Sequence, residues 1–584
     1  MGAGRLLVVA GQWDAAARAL VARWAAYSAA LLTPRDLAQP GWRYEPGNAI
    51  ASRAVVGGEA LAAADIAGVL TRLPWITAPE LPWIVPEDRA YVAAELNAFL
   101  LAWLSELPCP VLNRPTPLGL AGPAWSRGRW VQLAAACGLA LAPHEDGGPR
   151  PPLPVRARVT VVAGRAIGAV APDLAAGAVR LAGAAGAEVL TVHFGGPERG
   201  ACFVTADPRA DGARDEVADA TLAALLGGRP RATRVAASPT ATYLGLPPRS
   251  PVHGAGFGLA VRDRAARARR RRRDAGLTLV WGLPGDGPTA AVLAALRGRR
   301  APVVFVDQRD VLATEVRLDI GAPGGGTIRT RAEEIVLGEV TAAYLRPHDA
   351  RRLPVLAAAG PESDAWRRSA RAEERLSTWA DLTPAPVVNR PAAMASNGSK
   401  PYQAARIRAA GFATPATLIT TDGAGAEAFW AEQGSAVYKS LSGVRSIVAR
   451  LTPEHRPRLA DLRWCPTQFQ AYVTGTDYRV HVVGDALFAC AIESVADDYR
   501  YAARQGADVA IRPAALPPDI AARCLMLARA LDLPVAGIDL RRTPDGAWFC
   551  FEVNPSPGFT FYADATGQPI AAAVADLLIA GERG

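Results

Sequence analysis

Two stretches of the chain begin with a short apolar run and continue into a pattern typical of a helix. The first run is RLLVVAG from Arg5, and the second is LTLVWGL from Leu277. A short apolar run of this kind is typical of a buried strand that leads into a covering helix. The pattern therefore predicts an α/β fold with a βα unit in each half of the chain.

Other segments also occur twice and in the same order. Residues 108–116 read PCPVLNRPT and residues 384–392 read PAPVVNRPA, while RARVTVVAGRAIGA at 156–169 resembles DYRVHVVGDALFAC at 477–490. Similar segments in a fixed order indicate a duplicated unit. We therefore predict a first copy over residues 1–250 and a second copy from residue 277 to the end of the sequence.

Residues 251–276 join the two copies and include eight arginines. Such a run is typical of a solvated linker or helix face, and a patch for an anionic partner is the alternative. The second copy also contains residues 417–451, a segment with no counterpart in the first copy. We interpret this segment as a small lobe that the first copy lacks.

An acid and an amide lie two positions apart near the end of the chain, in FEVNPSPGF at 551–559. Because a strand alternates its faces, Glu552 and Asn554 point to the same side. The turn sequence at 544–546 predicts a hairpin that places Asp539 opposite Cys550 and Glu552 diagonal to Asp539. Three oxygen ligands suit Mg²⁺ or Mn²⁺. The alternative is that Asp539 belongs to the turn and Glu552 lies at a sheet edge.

Two lysines are candidate phosphate ligands. Lys400 precedes a helix in ASNGSKPYQ, and Lys439 ends a strand-like run in AVYKSLSGVRSIV. Lys439 opens a loop that contains Ser442, Gly443 and Arg445, which can supply hydroxyl and backbone N–H groups to phosphate. We expect this loop to be a mobile flap over the phosphates, although a solvent-facing structural role is the alternative for each lysine.

The segment after this loop offers further polar groups on strands. Asp477 and Arg479 lie two apart and therefore share a face. Arg479 could neutralise phosphate charge, and an ordinary ion pair between strands is the alternative. Four consecutive residues before them could offer backbone groups to a purine: Gln470, Ala471, Tyr472 and Val473.

Composition and charge exclude several classes of protein. With 584 residues, 50% hydrophobic and 20% charged, the chain can form several cores and is not disordered. A net charge of +9 suits phosphorylated ligands, but the sequence contains no recognisable nucleic-acid-binding motif. Seven scattered cysteines without a CxxC pair, and no apolar run long enough for a signal peptide or membrane span, predict a cytoplasmic protein without disulfides.

The second copy resembles the ATP-grasp carboxylate–amine ligases, and within them the RimK-like and microviridin-type peptide ligases. The resemblance extends over about residues 280–580 through VVNRP, NGSKPYQ, VYKSLSGVRSIV, FQAYVTGTDYRVHVVGD, AIESVADDYRY, GIDL, FEVNPSPGF and TGQPIAAAVADLL. It implies a glutathione synthetase-like fold. Its parts would be a pre-ATP-grasp α/β domain over 277–395 and a catalytic domain over 396–584, with a central lobe at about 412–468 and a C-terminal lobe at about 469–584.

The resemblance also implies roles for the candidate residues. Lys400 and Lys439 would hold the ATP phosphates, residues 470–473 would hold the adenine, and Arg479 would face the γ-phosphate and acyl phosphate. Many relatives have Glu where Gln470 stands. Arg500, in DDYRY, would lie near the substrate carboxylate. Two Mg²⁺ ions would be held by Asp539, Glu552 and Asn554.

The first copy departs from this pattern at the metal ligands. Arg158 matches Arg479 and Arg127 lies near the place of Lys400, but His193 stands at the place of Asp539. The Glu-x-Asn pair is missing, and Arg156 stands at the place of Asp477 of the second copy. We therefore expect a degenerate, non-catalytic ATP-grasp-like unit, with His193 as a core histidine rather than a metal ligand.

The expected function is an ATP-dependent ligase that forms an amide or ester through an acyl phosphate, with ATP and Mg²⁺ (or Mn²⁺) as cofactors. Its partners would be a carboxylate and an amine substrate, including a precursor peptide in peptide natural-product biosynthesis, and we expect a homodimer. One alternative is a ligase for small amino acids or glutathione-like peptides. Another is a non-catalytic nucleotide-binding scaffold.

Overall fold

The computed structural model describes residues 4–141, 154–196, 201–209, 211–212, 214–227, 276–319, 324–444, 448–494 and 508–581. The Arg-rich segment up to residue 275, Arg445 and Arg500 therefore lie outside the described residues. Residues 4–227 are called the first half below, and residues 276–581 the second half.

The first half contains eleven strands and five helices within its described residues. Its strands are β1 (Arg5–Val9), β2 (Ala30–Leu32), β3 (Arg43–Tyr44), β4 (Arg53–Val56), β5 (Glu59–Ala62), β6 (Ile66–Thr71), β7 (Val111–Leu112), β8 (Val155–Val162), β9 (Arg165–Ile167), β10 (Val189–Gly195) and β11 (Cys202–Asp207). Its helices are α1 (Ala15–Arg23), α2 (Arg89–Glu106), α3 (Arg127–Ala136), α4 (Pro172–Ala185) and α5 (Asp215–Gly227).

The second half continues the same mixture of strands and helices. Its strands are β12 (Leu277–Gly282), β13 (Val303–Asp307), β14 (Glu315–Leu318), β15 (Gly326–Arg329), β16 (Glu334–Val336), β17 (Val340–Arg346), β18 (Val387–Val388), β19 (Thr417–Thr420), β20 (Ala436–Lys439), β21 (Val448–Arg450), β22 (Thr467–Ala471), β23 (Thr476–Val483), β24 (Ala486–Ser494), β25 (Val509–Ala514), β26 (Val535–Arg542) and β27 (Trp548–Asn554). Its helices are α6 (Gly287–Gly298), α7 (Pro354–Ala359), α8 (Asp364–Leu382), α9 (Pro391–Met394), α10 (Lys400–Ala409), α11 (Gly423–Gln433), α12 (Pro518–Ala530), α13 (Thr560–Thr566) and α14 (Ile570–Ala580).

The two halves share a strand order in two pairs of sheets. Each half has a four-stranded parallel sheet, in the order β2-β1-β6-β7 in the first and β13-β12-β17-β18 in the second. Each also has an antiparallel sheet, β9-β8-β10-β11 in the first half and β25-β24-β23-β26-β27 in the second. The α/β prediction is therefore confirmed, whereas the domain boundaries assigned from the sequence stay predictions.

One sheet contains strands from both halves, which the sequence did not reveal. Its order is β21-β20-β22-β19-β3-β4-β5, so residues 43–62 of the first half extend the sheet that carries Lys439. β19 pairs with β3 in the register Ile419 to Tyr44. The Thr420 hydroxyl also donates a 2.6 Å hydrogen bond to the Trp42 carbonyl. Residues 417–451 are therefore only part of this lobe.

Helix α2 packs beneath this shared sheet. It is apolar on nearly all sides, a pattern typical of a helix buried in a core. Phe99 and Trp103 of α2 pack edge-on against Trp42, with ring centroids 5.1 and 5.2 Å apart. Ile419 of the second half belongs to the same buried cluster. Aromatic and aliphatic burial therefore joins the two halves through one core.

Among the helices of the described residues, none is both long and apolar enough to cross a membrane.

Candidate active site

The candidate metal ligands lie on the hairpin of β26 and β27. Asp539 is directly opposite Glu552, and Leu540 is opposite Cys550, with a register shift between Asp539 and Leu540. The predicted pairing of Asp539 with Cys550 is therefore wrong by one position, because a β-bulge adds one residue to β27. The bulge makes the two carboxylates direct neighbours rather than diagonal ones.

Asn554 completes the candidate set on the same strand as Glu552. It lies opposite Gly537, and its Oδ1 accepts a 2.9 Å hydrogen bond from the Ser556 backbone N–H. Two carboxylates and an amide are hard oxygen donors of the kind that bind Mg²⁺ together with water and phosphate. By the chemistry of the donor set, these residues fit a magnesium site.

Arg479 lies beside the candidate metal ligands on β23. It is paired with Asp539 in the strand register, and its Nη1 donates a 2.6 Å hydrogen bond to the Asp539 carboxylate. Its Nε faces His481 Nε2 at 3.4 Å. Burial lowers the pKa of His481 well below its ordinary value, and the nearby Arg479 charge lowers it further. His481 is therefore neutral and can accept from Arg479, a role that the sequence analysis missed.

Gly537 makes room for the Arg479 side chain. A Cβ atom at residue 537 would lie 2.0 Å from Arg479 Nη2 and 2.9 Å from Pro557 Cβ. Contacts this short cannot be accommodated, so the position of Arg479 depends on a residue without a side chain. Arg479 is only 5% exposed, which makes relocation of its guanidinium difficult.

Lys400 and Lys439 are brought together as predicted. Both are buried at 8% exposure and line one cavity, together with Gln470 and residues 550–551 of β27. Burial lowers the pKa of Lys439 to about 8, with Lys400 adding to the decrease and the Glu552 carboxylate opposing it. The cavity therefore concentrates positive charge beside the strand of the candidate metal ligands Glu552 and Asn554, an arrangement suited to a polyphosphate.

The loop after Lys439 is anchored rather than free at its base. Ser440 and Ser442 are buried, and Leu441 is fully buried. Lys400 Nζ donates to the Ser440 hydroxyl at 3.2 Å and to the Ser442 carbonyl. Glu95, from helix α2 of the first half, accepts a 2.5 Å hydrogen bond from the Ser442 hydroxyl. The expectation of a flap from residue 440 onward is therefore wrong for residues 440–442, which are packed inside the protein.

The predicted adenine segment lies at the end of β22. Gln470 Nε2 donates a 3.0 Å hydrogen bond to the Thr417 hydroxyl, and the Tyr472 N–H donates to the Ser435 carbonyl at 2.9 Å. The Ala471 N–H is also engaged, by the Ala416 carbonyl. The segment is thus fixed at the edge of the cavity that holds both lysines.

Asp477, a predicted nucleotide-binding residue, forms an ion pair with Arg541. Arg541 donates to its two carboxylate oxygens at 2.7 and 2.9 Å. Arg541 also donates a 2.7 Å hydrogen bond to the Val473 carbonyl. The pair therefore holds the end of the predicted adenine segment against the sheet that carries the candidate metal ligands.

The corresponding hairpin of the first half lacks the carboxylate pair. His193 lies opposite Arg158 on one side and Thr205 on the other, so His193 and Thr205 occupy the places of Asp539 and Glu552. The Arg158 guanidinium pairs instead with Asp211 at 3.1 Å. The first half thus offers no equivalent donor set.

One protein-family model matches part of the second half of the chain. The profile of the RimK-like ATP-grasp domain matches residues 437–578. That range contains Lys439, Gln470, Arg479, Asp539, Glu552 and Asn554. Comparison with curated proteins finds no match.

Several solved structures are similar to the chain. The ATP-grasp ligase PsnB complexed with minimal precursor is 24% identical, with a TM-score of 0.45, over 52% of this chain and 98% of that chain. The macrocyclase MdnC bound with precursor peptide MdnA, from Microcystis aeruginosa MRC, is 24% identical, with a TM-score of 0.44, over 52% of this chain and 99% of that chain. A D-alanyl-alanine synthetase A from Vibrio cholerae is 13% identical, with a TM-score of 0.37, over 53% and 99% of the two chains.

The profile match coincides with the strands that carry Lys439, Arg479 and the candidate metal ligands. It confirms the ATP-grasp fold and the family resemblance expected from the sequence. Residues 437–578 of the chain thus match the RimK-like ATP-grasp domain.

Proposed function

We propose that this chain joins a carboxylate to an amine at the expense of ATP, through an acyl phosphate. The observation that carries the proposal is the cavity in which Lys400 and Lys439 lie beside Gln470 and the strand of Glu552. Two buried cations next to hard oxygen donors suit a metal-bound triphosphate.

In the first step, a carboxylate oxygen of the substrate attacks the γ-phosphorus, and the bond from that phosphorus to the ADP oxygen breaks. Lys400 and Lys439 neutralise phosphate charge in this step, while Arg479 faces the phosphoryl group being transferred. Preorganised cations of this kind stabilise the charge of a phosphoryl-transfer transition state. Because Arg479 is held by Asp539 and His481, its guanidinium needs little reorganisation during the reaction.

In the second step, the amine attacks the acyl carbon, the bond to phosphate breaks and the amine loses a proton. The products are an amide, ADP and phosphate. An ester forms if a hydroxyl replaces the amine. Asp539, Glu552 and Asn554 are the residues that would hold Mg²⁺, which supplies charge neutralisation to the phosphates when it is bound.

The substrate that we propose is a peptide carboxylate, because the motif series of the second half resembles the RimK-like and microviridin-type peptide ligases. A ligase for small amino acids or glutathione-like peptides remains the second candidate. These two functions share the nucleotide chemistry, so they are separated by the acceptor and donor rather than by the residues that hold ATP.

Hydroxylamine can replace the amine in a direct test. The full chain, with ATP and Mg²⁺, is incubated with free amino acids or with peptides that contain Asp and Glu, and both ADP and hydroxamate are measured. The proposal predicts equal amounts of ADP and hydroxamate with a peptide carboxylate, and loss of both in Arg479→Met. Hydroxamate from free amino acids alone would favour the second candidate.

Nucleotide binding provides a check that does not depend on the substrate panel. Titration calorimetry of the full chain with ADP and Mg²⁺ should show one site. A chain that binds no nucleotide under these conditions would contradict the ligase proposal, whatever the substrates tested.

A further inference from the structure

Glu95 is a buried carboxylate in an otherwise apolar stretch of helix α2, in the half that lacks the metal ligands. It is 2% exposed. Its carboxylate accepts hydrogen bonds from the backbone N–H groups of Leu441 and Ser442, at 2.6 and 3.0 Å, and from the Ser442 hydroxyl at 2.5 Å. All three donors belong to the loop that begins directly after Lys439.

Burial of an ionised carboxylate is costly unless hydrogen bonds compensate it. Three donors at these distances provide that compensation, because hydrogen bonds to a charged acceptor are stronger than neutral ones. Glu95 and Leu441 are separated by 346 positions in the sequence. The contact therefore ties the loop of one half to a helix of the other.

Lys400 holds the same loop from its other side. The Lys400 backbone N–H donates to the Leu441 carbonyl at 2.9 Å, and Lys400 Nζ donates to the Ser440 hydroxyl and the Ser442 carbonyl. Helix α10, which begins at Lys400, is itself fixed to α2, since the Ser399 hydroxyl donates to the Ala98 carbonyl at 2.7 Å. The base of the loop is thus clamped between α10 and α2.

We infer that Glu95 is a positioning residue for the nucleotide site, and that the first half serves the second by holding this loop in its binding conformation. The inference rests on the proposed function, because it takes residues 439–444 as the phosphate-binding segment. Glu95 acts through the loop and does not touch the reacting atoms. Without its carboxylate, the Leu441 and Ser442 N–H groups lose their acceptor, and the loop no longer fixes Lys439 and Lys400 relative to each other.

Glu106 provides a matched control on the same helix. Its carboxylate also joins the halves, accepting hydrogen bonds from Arg408 Nη2 at 2.8 Å, the Tyr44 hydroxyl at 2.7 Å and the Gly47 N–H at 2.8 Å. It makes as many contacts as Glu95 but none with residues 440–444. Loss of a carboxylate that joins the halves is therefore common to both variants, whereas loss of the loop contact is specific to Glu95.

The test compares Glu95→Gln, Glu95→Asp and Glu106→Gln in the full chain. Hydrogen exchange is followed at the Leu441 and Ser442 amides, and affinity for ADP with Mg²⁺ is measured by calorimetry. Gln keeps only one acceptor oxygen for the two N–H groups, so we expect Glu95→Gln to exchange faster at one or both amides and to bind about tenfold more weakly, as loss of a charged acceptor commonly causes. Glu95→Asp should recover part of both properties, and Glu106→Gln should leave both near the wild-type values.

Three results are decisive. Wild-type protection of the two amides in folded Glu95→Gln overturns the inference, and so does lost protection with nucleotide affinity within about twofold of wild type. Equal weakening by Glu95→Gln and Glu106→Gln also overturns it, because the effect would then follow from joining the halves. If the wild type binds no nucleotide, the proposed function fails, and with it the role of Glu95 in that site, while the exchange data still decide whether Glu95 anchors the loop.

Discussion

The Arg479 guanidinium donates a 2.6 Å hydrogen bond to the Asp539 carboxylate, which faces it from the neighbouring strand. The pair is asymmetric, since the Arg479 side chain is 6% exposed and that of Asp539 is 29% exposed. A proposed phosphate-facing cation and a proposed metal ligand are therefore already in contact. The charges of these two side chains compensate each other before any ligand binds, so a ligand of either residue must compete with the pair.

Glu552 is the carboxylate on which turnover should depend most. In the described part of the chain its carboxylate makes no hydrogen bond to another residue, which leaves it free to bind a cation. Glu552→Gln keeps the shape and removes the charge, so we expect ADP release at saturating Mg²⁺ to fall by at least about a hundredfold. Asp545→Asn, at the exposed hairpin turn, is the control and should retain wild-type turnover. Turnover in Glu552→Gln would remove this residue from the site.

Gly537→Ala should impair catalysis through steric displacement of Arg479. The added methyl group would lie 2.0 Å from Arg479 Nη2, whereas a Cβ at Gly558 would have no atom within 4 Å. We expect Gly537→Ala to lower kcat by about a hundredfold or more, because a well-placed donor is lost, and Gly558→Ala to have little effect. Steady-state ADP release measures both, and equal kcat values would contradict the steric argument.

Nucleotide affinity should depend on pH through Lys439. Burial lowers its pKa from 10.5 to about 8, so the free protein loses this charge as the pH rises through about 8. A polyphosphate prefers the charged lysine, so the Kd for ADP and Mg²⁺ should rise above that pH, by up to about tenfold for each pH unit. Lys439→Arg keeps its charge and should abolish the dependence, which calorimetry between pH 7 and pH 9.5 would measure.

The same pKa has the opposite consequence for folding. The unfolded chain binds a proton at Lys439 more readily than the folded chain between about pH 8 and 10.5. The contribution of Lys439 to the free energy of unfolding is therefore present above the unfolded pKa and is lost as the pH falls through about 8. Nucleotide binding and stability should thus respond to pH with opposite signs.

Trp42 should be a residue whose loss unfolds both halves together. It is fully buried against Phe99 and Trp103, and its backbone bonds to strand β19. We expect Trp42→Ala to lower the free energy of unfolding by about 3–5 kcal/mol, as for other buried aromatic truncations. Trp13→Ala is the control, because Trp13 is 78% exposed and should change stability by less than about 0.5 kcal/mol. Urea unfolding of the wild type in two separate transitions would contradict a shared core.

Much of the site could be predicted because its residues belong to short, local patterns. Period-two alternation placed Glu552 and Asn554 on one face, and Asp477 and Arg479 on another. The exact pairing of Asp539 could not be predicted, because a bulge adds one residue to β27 and no local pattern announces it. Turn chemistry alone fixes the end of a hairpin but not the register beyond a bulge.

The role of Glu95 and the shared sheet could not be predicted for a different reason. Glu95 contacts residues more than 300 positions away, and β3 has only two residues. Neither feature leaves a periodic signal that could join distant segments. One local sign did exist, since Glu95 is a carboxylate in the middle of an apolar helix, and such a residue needs a buried partner.

The shared sheet also determines what happens if the chain is divided. A fragment that begins at Leu277 would leave strand β19 paired with β22 on one side only, because β3 is absent. Its free N–H and C=O groups would then form an open edge, and open edges recruit strands from other molecules. Such a fragment should aggregate when it is expressed alone. The first half therefore protects this edge by pairing with it. Because both halves belong to one polypeptide, every copy of β19 is made together with the strand that protects it.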